Sequence, residues 1–403
     1  MNFGEAVDYL YGLGHEILTI KLGLRNTELL LESLNHPERA FPSVQIAGTN
    51  GKGSTAVMLD SICRAAGIRS GLYTSPHLVS ITERISISGE QISEADFARH
   101  TATVRDVSHR LLAAGQIEAL PTFFEQLTAI ALLAFREANI ELAILETGMG
   151  GRLDSTTAAG AQVVAITPIA MDHEQYLGQT IEQIAAEKAA IIRPNVKAII
   201  GKQEPAALSV LLQRCAEVGV QPVLAVPPSK PIRIGLRGRH QADNAAIAIR
   251  LAESLSIPRD AIVSGLERVN HPGRLELIPH EPPILLDGAH NPAGAETLRD
   301  YLNEFGRRPL TLVFGAMSDK KLDRIGEILF PLAGVLILTT IDNPRAASLE
   351  TLRPIAARFA RASVIESESV SDAYHAAIRQ TPLQGLICVT GSLYLIGEWK
   401  QIT

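Results

Sequence analysis

The chain has 403 residues, enough for two or three domains and for a sizeable core without disulfide or metal staples. Hydrophobic residues make up 46% and charged residues 20%, the balance of a soluble globular protein. The formal net charge of −6 argues against a general nucleic-acid or anionic-membrane binder, though it leaves room for a local basic pocket around phosphates.

Cys63, Cys215 and Cys388 lie far apart and form no C-x-x-C pair, so neither a zinc site nor a disulfide framework is indicated, and a reducing cytosol fits. The first residues carry Glu5 and Asp8 and no basic start, unlike a secretory signal. The longest strongly apolar run, 127–135, is far below the ~20 residues that span a bilayer. A cytoplasmic protein with no membrane or nucleic-acid partner is expected.

In chain order, VQIAG (44–48), ELAILE (141–146), VVAIT (163–167) and KAIIG (197–201) read as buried strands. Helical patterns over 55–66, 124–137, 181–192 and 206–218 alternate with them. This alternation predicts a mostly parallel, doubly wound sheet. After Pro282-Pro283 the pattern restarts, with strands at 283–288, 310–315, 334–340 and 386–391 and helices at 292–305, 349–361 and 370–379. A domain boundary is expected near residue 280, giving domains 1–280 and 281–403. The Pro-rich segment 225–234 reads as a loop inside the first.

The sharpest local feature is the run from Val44 to Thr55, a strand, a turn containing Gly48, Gly51 and Gly53, and then an apolar helix. Glycines let the backbone fold tightly round an anion. Successive amides and the helix N-terminus then favour phosphate, with Lys52 for the outer phosphates and a Ser54 or Thr55 hydroxyl near Mg²⁺. The strict P-loop pattern is not met, because Gly53 follows Lys52 and position 46 is Ile. A glycine-rich turn without a ligand is the bland alternative.

Glu146 closes the strand ELAILE ahead of a glycine-rich loop, where open α/β sheets bind ligands, and is placed for Mg²⁺ or merely caps a turn. His173 follows the next strand as a ligand, an acid/base group or a simple loop residue. Lys188, next to Glu187 in a helix stopped by Pro194, reads on composition as solvated. Asp287 and His290 repeat the strand-to-helix placement in the second set, where an Asp is commonly only an N-cap.

Together these residues resemble the Mur-ligase-like folylpolyglutamate synthases, specifically the bacterial bifunctional dihydrofolate synthase/folylpolyglutamate synthases. The matching segments run in order: GTNGKGST (48–55), YTSPHL (73–78), ERI (83–85), ETGMGGRLD (146–154), DHxxxLG (172–178), AAEKAAIIRP (185–194), HQxxNxxxA (240–248), HPGR (271–274), DGAHN (287–291), FGAMSDK (314–320) and GSLYLIGE (391–398).

The resemblance implies an α/β fold, with a P-loop-containing, mostly parallel ATPase domain and a smaller Rossmann-like C-terminal domain that closes over ATP and binds glutamate. It implies an ATP-dependent, ADP-forming amide ligase. Gly48, Thr49, Asn50, Gly51, Lys52, Gly53 and Ser54 would hold the ATP phosphates, and Asn244, Arg274, Asp287 and His290 would complete the nucleotide contacts. Ser75, Glu146 and His173 resemble Mg²⁺ ligands, and Lys188 resembles a carbamylated lysine helping to hold a second Mg²⁺. Glu146, His173 and Lys188 are thereby the expected catalytic centre. K⁺ is a further ion the resemblance allows.

For the pteroate side, Lys21, Leu22, Gly23, Leu24, Thr122, Phe123 and Phe124 are expected, with Gly151, Arg152, Leu153 and Asp154 from the GRLD loop. Phe123 and Phe124 are an aromatic wall or core residues of their helix. Ser155-Thr156-Thr157 departs from the family's usual Ala-Thr-Asn, leaving the contact at Thr157 open.

The expected small-molecule partners are dihydropteroate, folates and L-glutamate, with the protein a monomer. A monofunctional folylpolyglutamate synthase is the nearest alternative. A muramoyl-peptide ligase would carry a UDP-binding domain where only 47 residues precede Gly48. A GTPase switch would need a guanine-reading Asn-Lys-x-Asp, which the sequence does not contain.

Overall fold

Val-, Ile- and Leu-rich runs of four or five residues form the centre of each sheet, buried on both faces as parallel strands covered by helices must be. The computed structural model describes residues 1–14, 23–230 and 232–403. It divides into two units: 1–76, 81–235 and 242–269 form the first, and 77–80, 236–241 and 270–403 the second.

The first unit contains helices α1 (Phe3–Gly12) and α2 (Arg25–Ser33), β1 (Ser43–Ala47), α3 (Lys52–Ala65), β2 (Ser70–Tyr73) and the hairpin β3 (Ile85–Ile87) and β4 (Glu90–Gln91). It continues with α4 (Glu94–Ala113), α5 (Phe123–Glu137), β5 (Leu142–Glu146), β6 (Val163–Ile166), α6 (Glu174–Leu177), α7 (Ile181–Ala189), β7 (Lys197–Ile200), α8 (Pro205–Glu217) and β8 (Val223–Leu224). Helices α9 (Gln241–Ser254) and α10 (Arg259–Arg268) complete it, apart from Gln241.

The sheet order is β4-β3-β2-β5-β1-β6-β7-β8, parallel except that β3 runs antiparallel to both β2 and β4. On one face Leu10, Leu30, Phe97, Leu127 and Phe135 form a core with Tyr73 and Leu145, and Ile184, Leu211 and Cys215 pack on Val164 and Ile166. α3 and α10 pack together so closely that a Cβ at Gly265 would lie 2.4 Å from Ile62 Cα.

The second unit holds β9 (Glu276–Ile278), β10 (Ile284–Asp287), α11 (Pro292–Phe305), β11 (Leu310–Phe314), α12 (Leu322–Leu329), β12 (Val335–Thr339) and α13 (Leu349–Phe359). β13 (Ser363–Ser367), α14 (Val370–Gln380), β14 (Leu386–Thr390) and α15 (Leu393–Ile402) follow. Its order is β13-β12-β11-β14-β10-β9, with only β9 antiparallel. Leu298, Leu302, Ile325 and Leu352 cover one face, and Ala373, Ala377, Ile396 and Trp399 the other. Trp399 is fully buried, with Tyr374 edge-on at 5.2 Å.

Both α/β sheets expected from the strand runs are present. Two expectations shift. α3 starts at Lys52 rather than 55, because Gly51 at φ 87° caps it in the left-handed region. α7 ends at Ala189 rather than continuing to 192, and the chain reaches Pro194 through turns. Among the described residues, no helix is long and apolar enough to cross a membrane.

Candidate active site

The strand order reverses around β1. The chain leaves β1 for β2 on one side, and β5 then crosses past β1 to β6 on the other. In such sheets the carboxyl ends at the reversal form a crevice. Register places Glu146 beside Ile46 and Ile166 beside Ala47, so the loops after β1, β5 and β6 emerge together.

The loop after β1 is tightly held. A Cβ at Gly48 would lie 1.8 Å from Thr167 Oγ1. The amides of Thr49 and Asn50 both donate to the Pro168 carbonyl, at 3.0 and 3.1 Å, and Thr49 Oγ1 donates to Ala170 O at 3.1 Å. Those two amides therefore point inward. The amides in the first turn of α3, from Gly51 through Lys52, Gly53 and Ser54, have no intrahelical acceptor, which is the arrangement that suits an anion. Gly51 leaves no room for a side chain, since a Cβ there would lie 2.2 Å from Asn244 Oδ1. This brings α9 onto the loop. Lys52 Nζ donates to Thr49 O at 3.3 Å.

Lys188 is not solvated. It is 4% exposed, and its Nζ donates to Gly48 O at 2.8 Å. Burial, and then the charge of Lys52, pull its pKa down to about 7, against the opposing pull of Asp172, Asp154 and Glu187. Glu146, also buried, accepts from the Ser75 amide at 3.2 Å through Oε2. His173 adopts φ 52° at the start of α6, and its amide donates to Asp172 Oδ1 at 2.9 Å.

Among the described residues, no three His, Cys, Asp or Glu side chains converge to hold a metal by themselves. The oxygens of Glu146 and Ser75 suit a hard divalent cation. An unmodified amine at Lys188 does not, whereas a carbamate oxygen would. The donor chemistry therefore fits Mg²⁺ with a modified Lys188.

On the acceptor side, Lys21 and Leu22 lie outside the described residues, and Leu24 precedes α2. Thr122 caps α5 reciprocally with Glu125. Phe123 is core, stacked on Tyr11 at 5.6 Å with the Arg84 guanidinium 5.4 Å over its ring. Phe124 is only partly buried and lies against Tyr73, at 5.8 Å between centroids.

Gly151 abuts the α7 carbonyls of Glu187 and Lys188. Arg152 pairs with Glu187 at 2.9–3.2 Å. Leu153 is half-buried. Buried Asp154 accepts from the Met149 and Thr156 amides at 3.0 Å, and desolvation raises its pKa. Thr157 is buried, donating to Gly151 O and accepting from Gln45 Nε2, both at 2.7 Å.

In the second unit, Asp287 accepts from the Leu275 and Ala289 amides at 2.9 and 3.1 Å. Burial raises its pKa, and Arg274 opposes the rise. His290 Nδ1 donates to Gly288 O at 2.8 Å.

Residues 46–224 match the Mur ligase middle domain, and residues 273–393 match the Mur ligase glutamate ligase domain. A dihydrofolate synthase/folylpolyglutamate synthase of Bacillus subtilis is 34% identical over 95% of both chains. The chain belongs to this family of Mur ligases.

The fold agrees. A Mycobacterium tuberculosis folylpolyglutamate synthase complexed with ADP superposes with a TM-score of 0.93 at 33% identity, over 99% of this chain and 98% of that one. A Yersinia pestis bifunctional folylpolyglutamate synthase/dihydrofolate synthase complexed with AMPPNP and a Mn ion gives 0.86 at 29%, over 99% and 97%.

Two supports of this Mur ligase site were not singled out from the sequence. Asp172 sits inside the DHxxxLG segment and acts on both His173 and Lys188. Gln203 bridges the loop after β6, accepting from Ile169 N and donating to Thr167 O, each at 3.0 Å. Its position after a different strand gave no local signal.

Proposed function

We propose that this ligase joins L-glutamate to 7,8-dihydropteroate and, in a second activity, to the γ-carboxylate of folates, using ATP and Mg²⁺. The reading rests on one observation above all: buried Lys188 donates to Gly48 of the glycine-rich turn, beside the strand carrying Glu146. The ADP, AMPPNP and Mn of the relatives described above support it.

A carboxylate does not condense with an amine in water unless it is activated. Transfer of the γ-phosphoryl group to the acceptor carboxylate gives an acyl phosphate and ADP. The glutamate amine then attacks, and phosphate leaves. Phosphoryl transfer asks chiefly for positioning and charge neutralisation. The first-turn amides of α3 and the Lys52 ammonium supply both. Asn244 holds the turn, and Arg274, Asp287 and His290 contribute nucleotide contacts.

Ser75, Glu146, His173 and a carbamylated Lys188 would hold Mg²⁺, which supplies further charge neutralisation when bound. K⁺ is an additional ion in this reading. Lys21 to Leu24, Thr122 to Phe124 and Gly151 to Asp154 hold the pteroate. In this reading the domain expected over 1–280 binds ATP and pteroate and the one expected over 281–403 takes L-glutamate, although the second compact unit already runs continuously from 270. The protein works as a cytoplasmic monomer.

The purified chain with ATP, Mg²⁺, glutamate and dihydropteroate is expected to release ADP and phosphate and to form dihydrofolate. With tetrahydrofolate as acceptor it forms the diglutamate. Turnover with folates alone would assign the monofunctional alternative. ATP hydrolysis indifferent to glutamate, or no amide product with either acceptor, overturns the proposal.

A further inference from the structure

Behind the ring of Phe124 runs a line of buried hydroxyls for which the chemistry above has no use. Ser155 Oγ lies 2.5 Å from Thr128 Oγ1, and Thr128 Oγ1 donates to Phe124 O at 2.8 Å. A hydroxyl has one proton. Ser155 Oγ also lies 3.5 Å from the same Phe124 carbonyl; Thr128 holds that oxygen at the shorter distance, so the Ser155 proton is the one available for the 2.5 Å contact. Both residues are buried, on a turn and a helix 27 positions apart.

The turn that carries Ser155 is itself fixed. Gln45 Nε2 donates to Thr156 Oγ1 at 3.0 Å and to Thr157 Oγ1 at 2.7 Å, while Asp154 Oδ1 accepts from the Thr156 amide and hydroxyl at 3.0 and 2.5 Å. Ser155 carries that anchoring across to the first turn of α5. There the Phe124 ring bears directly on Gly148, whose added Cβ would come within 2.6 Å of the ring tip. Gly148 is two residues beyond Glu146. A shift of the ring therefore alters the wall next to the place where the acceptor carboxylate must be activated.

We propose that Ser155, acting through Thr128, is a positioning residue for the pteroate acceptor. It holds the first turn of α5 so that Phe124 keeps its ring against Gly148, and it thereby sets acceptor affinity rather than the rate of phosphoryl transfer. The idea rests on Phe124 being the pteroate wall, as proposed above. One lost buried hydrogen bond corresponds to about a three- to tenfold change in an equilibrium constant.

Steady-state kinetics with dihydropteroate as the varied substrate test this. Ser155→Ala should raise the KM for dihydropteroate about three- to tenfold while kcat and the KM for ATP stay within about twofold. Thr128→Val, which keeps the shape and removes the hydroxyl, should reproduce that pattern, and Thr128→Ser should restore the parent's KM. In a Phe124→Leu background, Ser155→Ala should add nothing further.

An unchanged acceptor KM in Ser155→Ala overturns the proposal. So does a joint change in kcat and the KM for ATP, or an undiminished effect in the Phe124→Leu background. A parent protein that makes no amide with any pteroate or folate overturns the functional reading and this one with it. An active parent with an indifferent Ser155→Ala removes only the positioning role.

Discussion

Lys188 carries the sharpest residue-scale consequence. Its pKa of about 7 lies below the ordinary 10.5, so between those values the unfolded chain binds a proton that the native chain does not. Stability from this group therefore rises with pH across that window, and the full cost of burying the ammonium is felt below it. In CO₂-free buffer, the melting temperature of Lys188→Met relative to the parent should be highest near pH 6.5 and should decline toward pH 10. A difference independent of pH would mean that the amine is not held near neutrality. On composition Lys188 reads as a solvated helix residue, because Glu187 beside it is charged and helix burial depends on what packs above. Only the fold brings it under Gly48. Glu146 was more legible, since a carboxylate at a strand's end has few places to point.

At the scale of elements, the contact between α3 and α10 supports the phosphate turn. Gly265 lets α10 approach Ile62, and Ser61 Oγ donates to the Gly265 carbonyl at 2.8 Å. Gly265→Ala should cost about 1–3 kcal/mol through overpacking, seen as a lower urea midpoint, and should raise the KM for ATP by displacing α3. Unchanged values of both would show that the helices can separate without loss. The central strands were legible because double-sided burial demands unbroken Val, Ile and Leu. Edge strands gave weaker signals. β8 has two exposed residues and β13 is mostly exposed, so neither shows a buried run, and the β3–β4 hairpin is partly polar. α7 ends before its apolar pattern does, since that pattern continues through Ile191-Ile192 after the helix has stopped.

At the scale of the whole molecule, buried histidines tie the stability of the second unit to pH. His240 and His271 belong to the second unit, and burial followed by the Arg274 charge pushes them down to about 4 and about 3. Below pH 6.5 the unfolded chain takes up protons that these rings refuse, so stability is lost as pH falls from there toward the folded values. Calorimetry between pH 7 and pH 4.5 should show the melting temperature of His271→Asn falling less steeply than the parent's. Parallel curves would remove the assignment.

The chain's single tryptophan adds a practical consequence. Trp399 is sealed inside the second unit, so tryptophan fluorescence comes entirely from that half and should be blue-shifted while it is folded. A red shift on titrating denaturant would time the melting of the C-terminal sheet alone, without introducing a dye.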